Sequence, residues 1–342
     1  MDKNSQELLW AGVGKVDITR TVEGAIDDPL YAKIDIDTVN DRLYAKALVL
    51  KQDAIAVVLI TVDAVAIGEI GSIRNDYLAR VRAQLHEELG IDAAHVIINA
   101  SHCHGVVCED VAERTVQAVR AAWQCMEPVA AGVGSGCEDR IMENRRLRLK
   151  DGREADVRHA YALAPDREIA GVGPVDSEIG ILRLDRCDGS ILAVVYNFAC
   201  HPIQGVPSAG NTADLSGFAS KVIEECIGAG ALAFFLQGCA GDINPIMYKA
   251  VDFPRDAEPL GNLLGLSTVR ALHSIAPTND GALNVLCESL SLPRADLAPF
   301  IGQLAERQQQ LLASLRGTTL NLKTFIPLLI KYQLSPEYPS YY

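Results

Sequence analysis

Apolar and polar positions follow two rhythms along this chain. Residues 43–50 and 54–62 are runs of Val, Ile, Leu and Ala separated by Lys51-Gln52-Asp53, which predicts two strands joined by a hairpin-length turn. Residues 70–89 change to helical spacing, with Leu78, Val81, Leu85 and Leu89 on one stripe and Gly90 as the stop. Residues 96–99 predict a short buried strand and residues 109–123 the next helix. The arrangement then recurs: a strand at 191–198 runs into His201-Pro202, a helix at 215–227 follows Asn211-Thr212-Ala213-Asp214, and a strand at 231–236 runs into Gly238-Cys239-Ala240-Gly241-Asp242. Three strands thus end in polar, Gly-rich or His-rich loops. The pattern predicts an α/β fold, a mixed β-sheet core flanked by helices, with the site on loops at strand ends.

After residue 275 the pattern changes. Residues 282–292 predict a strand and 295–315 a long helix, while 324–342 are apolar with three prolines and four tyrosines. We therefore divide the chain into a domain at 1–280 and a strand and helix extension at 281–342. Aromatic rings need something to pack on, so the fold is expected to continue beyond Tyr342.

Composition narrows the function. The chain has 342 residues, 49% of them hydrophobic and 22% charged, which suits a globular protein with a substantial core. A net charge of −13 excludes a general nucleic-acid binder, which needs a basic stripe. The basic cluster Arg145-Arg146-Leu147-Arg148 predicts a solvated edge strand, with an anion-facing patch as the alternative. The N-terminus lacks the basic and apolar regions of an export signal, and the longest apolar run, 54–68, is broken by Asp63 and too short to span a membrane. Nine cysteines without a C-x-x-C spacing suggest reduced thiols, so we expect a cytoplasmic protein with no transmembrane segment.

His102 and His104 lie one residue apart just after a strand. In an extended chain both rings point the same way, so both can address one metal, or one can bind while the other handles protons; two polar loop histidines are the alternative. His201 follows an apolar strand and precedes Pro202. A buried histidine there must be hydrogen-bonded or metal-bound, since an unpaired polar group costs a few kcal/mol. Asp63 ends the second strand and needs a partner, Asp214 precedes a helix it could cap, and Asp242 lies in a Gly-flanked turn. Gly238 and Gly241 permit a sharp turn whose N–H groups could hold an oxyanion. Cys239 is either a nucleophile or a small buried hydrophobe, and the latter is the expectation. His86, His95, His159 and His273 read as structural or surface residues.

Taken in order, Ala11-Gly12-Val13-Gly14-Lys15-Val16-Asp17-Ile18-Thr19, Ser101-His102-Cys103-His104, Asn197-Phe198-Ala199-Cys200-His201-Pro202, Ala213-Asp214-Leu215-Ser216-Gly217-Phe218-Ala219 and Gly241-Asp242-Ile243-Asn244-Pro245 resemble the catalytic N-terminal domain of the neutral/alkaline non-lysosomal ceramidase family. The resemblance implies zinc-activated water that cleaves the amide of an N-acyl sphingoid, with His102 and His201 as ligands and His104 as a neighbouring catalytic group. Asn244 stands where the family has a serine. The family's Glu and Tyr ligands are expected in later sequence, so the resemblance leaves two expectations: Asp63, Asp214 or Asp242 completes the metal shell, or the chain is an incomplete, inactive form.

The expectation is a zinc-dependent hydrolase cleaving an amide C–N bond. His102, His201 and Asp63 are assigned to the metal, His104, Asp242 and Asn244 to catalysis, and Gly238, Gly241 and Asp214 to substrate. The partner is a small-molecule amide or N-acyl lipid, with no nucleic acid and the oligomeric state open. A catalytically inactive metal- or ligand-binding homologue and a metallophosphoesterase are the alternatives.

Overall fold

The computed structural model describes residues 8–20, 38–156, 166–205, 210–249 and 255–315. The expectations for the extreme N-terminus, His159 and residues 324–342 lie outside these. Two units are present, residues 1–285 and 286–342.

The first unit runs β1 (Trp10–Asp17), β2 (Tyr44–Gln52), β3 (Ile55–Val62), α1 (Tyr77–Leu89), β4 (Val96–Ala100), α2 (Val111–Gln124), β5 (Glu127–Cys137), β6 (Met142–Asn144), β7 (Arg146–Leu149), β8 (Glu154–Asp156), β9 (Ile169–Val172), β10 (Glu178–Arg186), β11 (Ile191–Phe198), α3 (Asp214–Ile227), β12 (Leu232–Gln237), β13 (Ile243–Pro245) and α4 (Glu258–Leu272). Eight strands form one mixed sheet in the order β12-β11-β10-β5-β1-β2-β3-β4. The β3–β4 and β11–β12 pairs are parallel, and the other pairs are antiparallel.

The sheet is pinched at its middle, where β1 meets β5 only at Trp10↔Pro128 and Ala11↔Glu127. There it folds over on itself. Ala11, Leu48 and Leu59 of one half meet Val129, Leu184, Val195 and Phe234 of the other in one apolar cluster. Because side chains alternate along a strand, the opposite faces are free for helices. Ala45, Ala47, Val58 and Ile60 pack with Val81 and Leu85 of α1 and with Val116 and Val119 of α2. Ile179, Val194, Tyr196 and Phe235 pack with Leu215 and Ala219 of α3 and with Leu260 and Leu264 of α4. The result is four layers: helices, half-sheet, half-sheet, helices. Contact between β1 and α2 is close enough that a Cβ on Gly12 would stand 2.0 Å from the Ala122 oxygen, and one on Gly14 2.1 Å from that of Ala118.

Folding over brings the two sheet edges, β4 and β12, face to face. Side chains cover the open edge of β12 in place of a ladder. Asn99 Nδ2 donates to the Phe235 oxygen at 3.2 Å and Gln237 N donates to Asn99 Oδ1 at 3.3 Å. Lys46 Nζ donates to the Ala233 oxygen at 2.9 Å, and Glu224 Oε1 accepts from Ala233 N at 3.2 Å and from Lys46 Nζ at 2.6 Å. The C-terminal ends of β4, β11 and β12 therefore lie together, and they carry the histidine loops.

Three elements differ from expectation. Helix α1 begins at Tyr77 instead of residue 70, because Glu69 and Gly71 take left-handed backbone (φ 68° and 86°), which no helix accommodates. Residues 282–292 form no strand: no strand among the described residues pairs with them, and Leu286, Leu290 and Leu292 are exposed. The arginine segment, β7, is the centre of the small sheet β8-β7-β9 and not an edge, although Arg146 and Arg148 share a solvated face as expected. All nine cysteines are free. In the second unit, α5 (Ala298–Leu315) exposes Phe300, Ile301 and Leu304. No helix among the described residues is long and apolar enough to cross a membrane.

Candidate metal centre

Beyond β4 the ladder continues briefly, with Ser101 N on the Val62 oxygen at 2.9 Å and His102 N on the Ala64 oxygen at 3.0 Å. His102 then turns the chain with φ 65°, a left-handed conformation that costs a non-glycine residue about 1–2 kcal/mol. The extended His-x-His segment expected from sequence is thus replaced by a turn. The rings of His102 and His104 still converge, edge to face with centroids 5.6 Å apart.

Backbone carbonyls fix two of the three rings. His102 Nδ1 lies 2.7 Å from the Val65 oxygen and His201 Nδ1 3.0 Å from the Ala240 oxygen. A carbonyl oxygen only accepts, so each Nδ1 must carry the hydrogen, and in the neutral ring each Nε2 then holds a bare lone pair. Those two Nε2 atoms stand 3.0 Å apart, where facing lone pairs repel unless a cation or proton lies at them. His104 is the third member. Its Nε2 is buried with no hydrogen-bond partner. Burial first, then the neighbouring His102 and His201, push its pKa down to about 3, so its ring is neutral at physiological pH. Ring nitrogens of His102, His104 and His201 all fall within 4.8 Å of one another, the one group among the described residues with metal-holding geometry. Three imidazoles with converging ring nitrogens, two anchored through their far N–H, are a donor set that suits zinc.

The carboxylates lie elsewhere. Asp63 is outside the histidine group: Oδ2 accepts from Tyr44 N at 2.9 Å, and burial raises its pKa to about 6 against the pull of nearby Lys46. Asp214 is fully buried in left-handed backbone at φ 56°. Its carboxylate accepts from Gln204 N at 3.2 Å, Gly205 N at 2.6 Å and Leu215 N at 2.7 Å. It therefore ties the loop behind His201 to the start of α3. Burial lifts its pKa to about 6 as well.

Asp242 is half-buried beside the turn that cradles His201, accepting from Asn144 Nδ2 at 3.2 Å with Arg146 Nε at 3.6 Å. Ile243 in the same turn accepts from His201 N at 2.9 Å. Asn244 follows on β13, buried, with Oδ1 unpartnered. The Gly238 N–H is spent on the Phe198 oxygen at 2.9 Å, which removes it as a free oxyanion donor. A Cβ on Gly241 would meet nothing within 4 Å. Cys239 is exposed, not the buried hydrophobe expected, whereas Cys103 and Cys200 are buried and their thiols pushed upward by desolvation. His86 and His95 are structural, with Nδ1 at 3.2 Å from the Ile91 oxygen and 3.0 Å from the Ala56 oxygen.

Sequence reasoning missed the Val65 and Ala240 carbonyls, which carry no side-chain signal. It also missed Asn99, whose polar side chain ending the run Val96-Ile97-Ile98 was a usable sign.

Fold and site define a four-layer mixed α/β protein with a three-histidine cluster able to hold a metal ion. No protein-family profile matches the sequence, and neither does any curated protein sequence. Among solved structures, a ceramidase complexed with C2 is similar with a TM-score of 0.62 and 17% identity, over 78% of this chain and 44% of that one. The neutral ceramidase of Pseudomonas aeruginosa is similar with a TM-score of 0.60 and 17% identity, over 79% of this chain and 45% of that one. The fold is ceramidase-like, and the chain spans less than half the length of either protein.

Proposed function

We propose that this chain carries the metal site of a zinc-dependent hydrolase that cleaves a carboxylic amide, with residues 1–280 as the catalytic body and 281–342 as an extension. The observation that carries this is the convergence of the His102 and His201 Nε2 atoms, 3.0 Å apart, each backed by a carbonyl on Nδ1. His102, His104 and His201 would hold the ion; relative to the sequence reading, His104 takes the ligand place given to Asp63. Zinc supplies a bound water with pKa near about 7 and polarises a substrate carbonyl.

The protein's own groups do the rest. The Val65 and Ala240 carbonyls keep His102 and His201 in the ligating tautomer. Burial keeps the His104 ring neutral. Asp242, half-buried in the turn that accepts from His201 N, is the group we assign to take and return a proton at its carboxylate. The unpaired Asn244 Oδ1 is an acceptor for a substrate N–H. The likeness to ceramidases supports an N-acyl amide as substrate, with a soluble small amide or an N-acyl lipid as the two forms. A cytoplasmic location remains part of this proposal.

Metal analysis tests the reading. Purified protein is expected to hold one zinc per chain, and His102→Ala and His201→Ala each to lose it together with chelator-sensitive hydrolysis of N-acyl amides. Metal content unchanged by both substitutions ends the proposal. Asn244 in the serine's place favours a second reading, a homologue that binds metal without turnover, which a chelator-sensitive hydrolysis would refute. A two-metal phosphoesterase fits less well, since the metal-holding group among the described residues contains no carboxylate to bridge two ions.

A further inference from the structure

Asn99 stands at the end of the β4–β12 seam nearest the histidines. On β12 the Phe235 C=O and the Gln237 N–H flank Leu236, and they are the pair that one residue of a parallel neighbouring strand would engage. No strand is there. The Asn99 carboxamide, with a donor and an acceptor on one planar group, meets both at 3.2 Å and 3.3 Å.

Its place in the chain matters as much as its chemistry. His102 lies three residues beyond Asn99 on the continuation of β4. Ala240 lies three residues beyond Gln237, and its carbonyl holds His201 Nδ1 at 3.0 Å. One side chain therefore spans the gap between the arm that carries His102 and the arm that orients His201. At the far end of the seam Lys46 and Glu224 cover Ala233, so the seam is fastened at two points and only Asn99 is near the site.

We propose that Asn99 is a positioning residue for the histidine cluster: by replacing a missing strand, it sets the separation of His102 from His201 and so the affinity for the metal. This rests on the metal-centre reading.

Zn2+ affinity by chelator competition and the visible absorption of bound Co2+ are measured for wild type, Asn99→Ala, Asn99→Asp and Lys46→Met, with thermal melts of the metal-free proteins. Asn99→Ala is expected to bind Zn2+ about 10–100-fold more weakly, the range for loss of a group that orients ligands, and to shift the Co2+ spectrum. Asn99→Asp keeps the shape and the acceptor for Gln237 N, so it folds and falls between. Lys46→Met, which opens the distant end of the seam, is expected to lower the melting temperature with affinity and spectrum unchanged.

Folded Asn99→Ala with wild-type affinity and spectrum overturns the proposal, as does equal weakening by Lys46→Met. Should wild type bind neither ion, the metal reading falls by itself. Metal-free crystals then decide the role of Asn99: an Nε2–Nε2 distance still at 3.0 Å in Asn99→Ala refutes it, and an opened pair supports it.

Discussion

Asp214 shows how far the environment of one carboxylate departs from its sequence context. From the sequence it is a helix cap or a substrate contact; in the fold it is sealed from solvent and accepts three backbone N–H groups from two segments. An amide offers one acceptor and turns an NH2 toward a donor. Asp214→Asn is therefore expected to destabilise the protein by about 1–3 kcal/mol, the cost of leaving buried donors unmet, read by urea denaturation. Its pH signature has a definite sign. Asp63 and Asp214 ionise at about 6 in the fold, against 3.8 as ordinary carboxyls. Between those values the folded state holds the extra protons, so their contribution is present below 3.8 and is lost as pH rises through about 6. His104 acts oppositely: depressed from 6.5 to about 3, it takes stability away as pH falls through that window. Relative to wild type, Asp214→Asn should lose less stability on going from pH 4 to pH 7. An equal or larger loss would contradict the assigned burial.

Among elements, the well-read ones were those whose signal is local. Strand β11 and helix α3 stand at or within a residue of their expected bounds, because an apolar run bounded by turn residues fixes both. The hairpin β2–β3 turns at Asp53, which takes φ 54°. What could not be read is long-range. That β1 touches α2 closely enough to require glycine depends on packing between segments about a hundred residues apart. The seam beside Asn99 joins β4 to a strand more than 130 residues later, with Phe235 lying 136 residues beyond Asn99. The element contacts make a paired prediction. Gly12→Ala drives a methyl into the Ala122 carbonyl and should cost about 3 kcal/mol or abolish folding. Gly241→Ala, with open space around it, should change stability by no more than about 0.5 kcal/mol. Denaturation midpoints that do not separate the two would mean that β1 and α2 are not packed as described.

For the whole molecule, the fold does for the site what the sequence spacing could not. His102 and His201, 99 residues apart, meet because the sheet closes on itself and sets two parallel strand pairs end by end. The two histidine loops are legible as metal candidates, and His104 reads there as able to address the same metal before it is assigned to catalysis; that its ring converges with the other two depends on the turn at His102, whose left-handed backbone the spacing does not reveal. Asp63 was the natural third ligand in sequence, and the fold instead places it against Tyr44 N. The central claim is that these three rings hold one ion. Crystals grown with Zn2+ and measured on both sides of the zinc absorption edge test it most directly. The account predicts one anomalous peak per chain, about 2.0–2.1 Å from Nε2 of His102 and His201 and from a ring nitrogen of His104. A zinc-saturated protein whose peak lies elsewhere, with the three rings unligated, would contradict it.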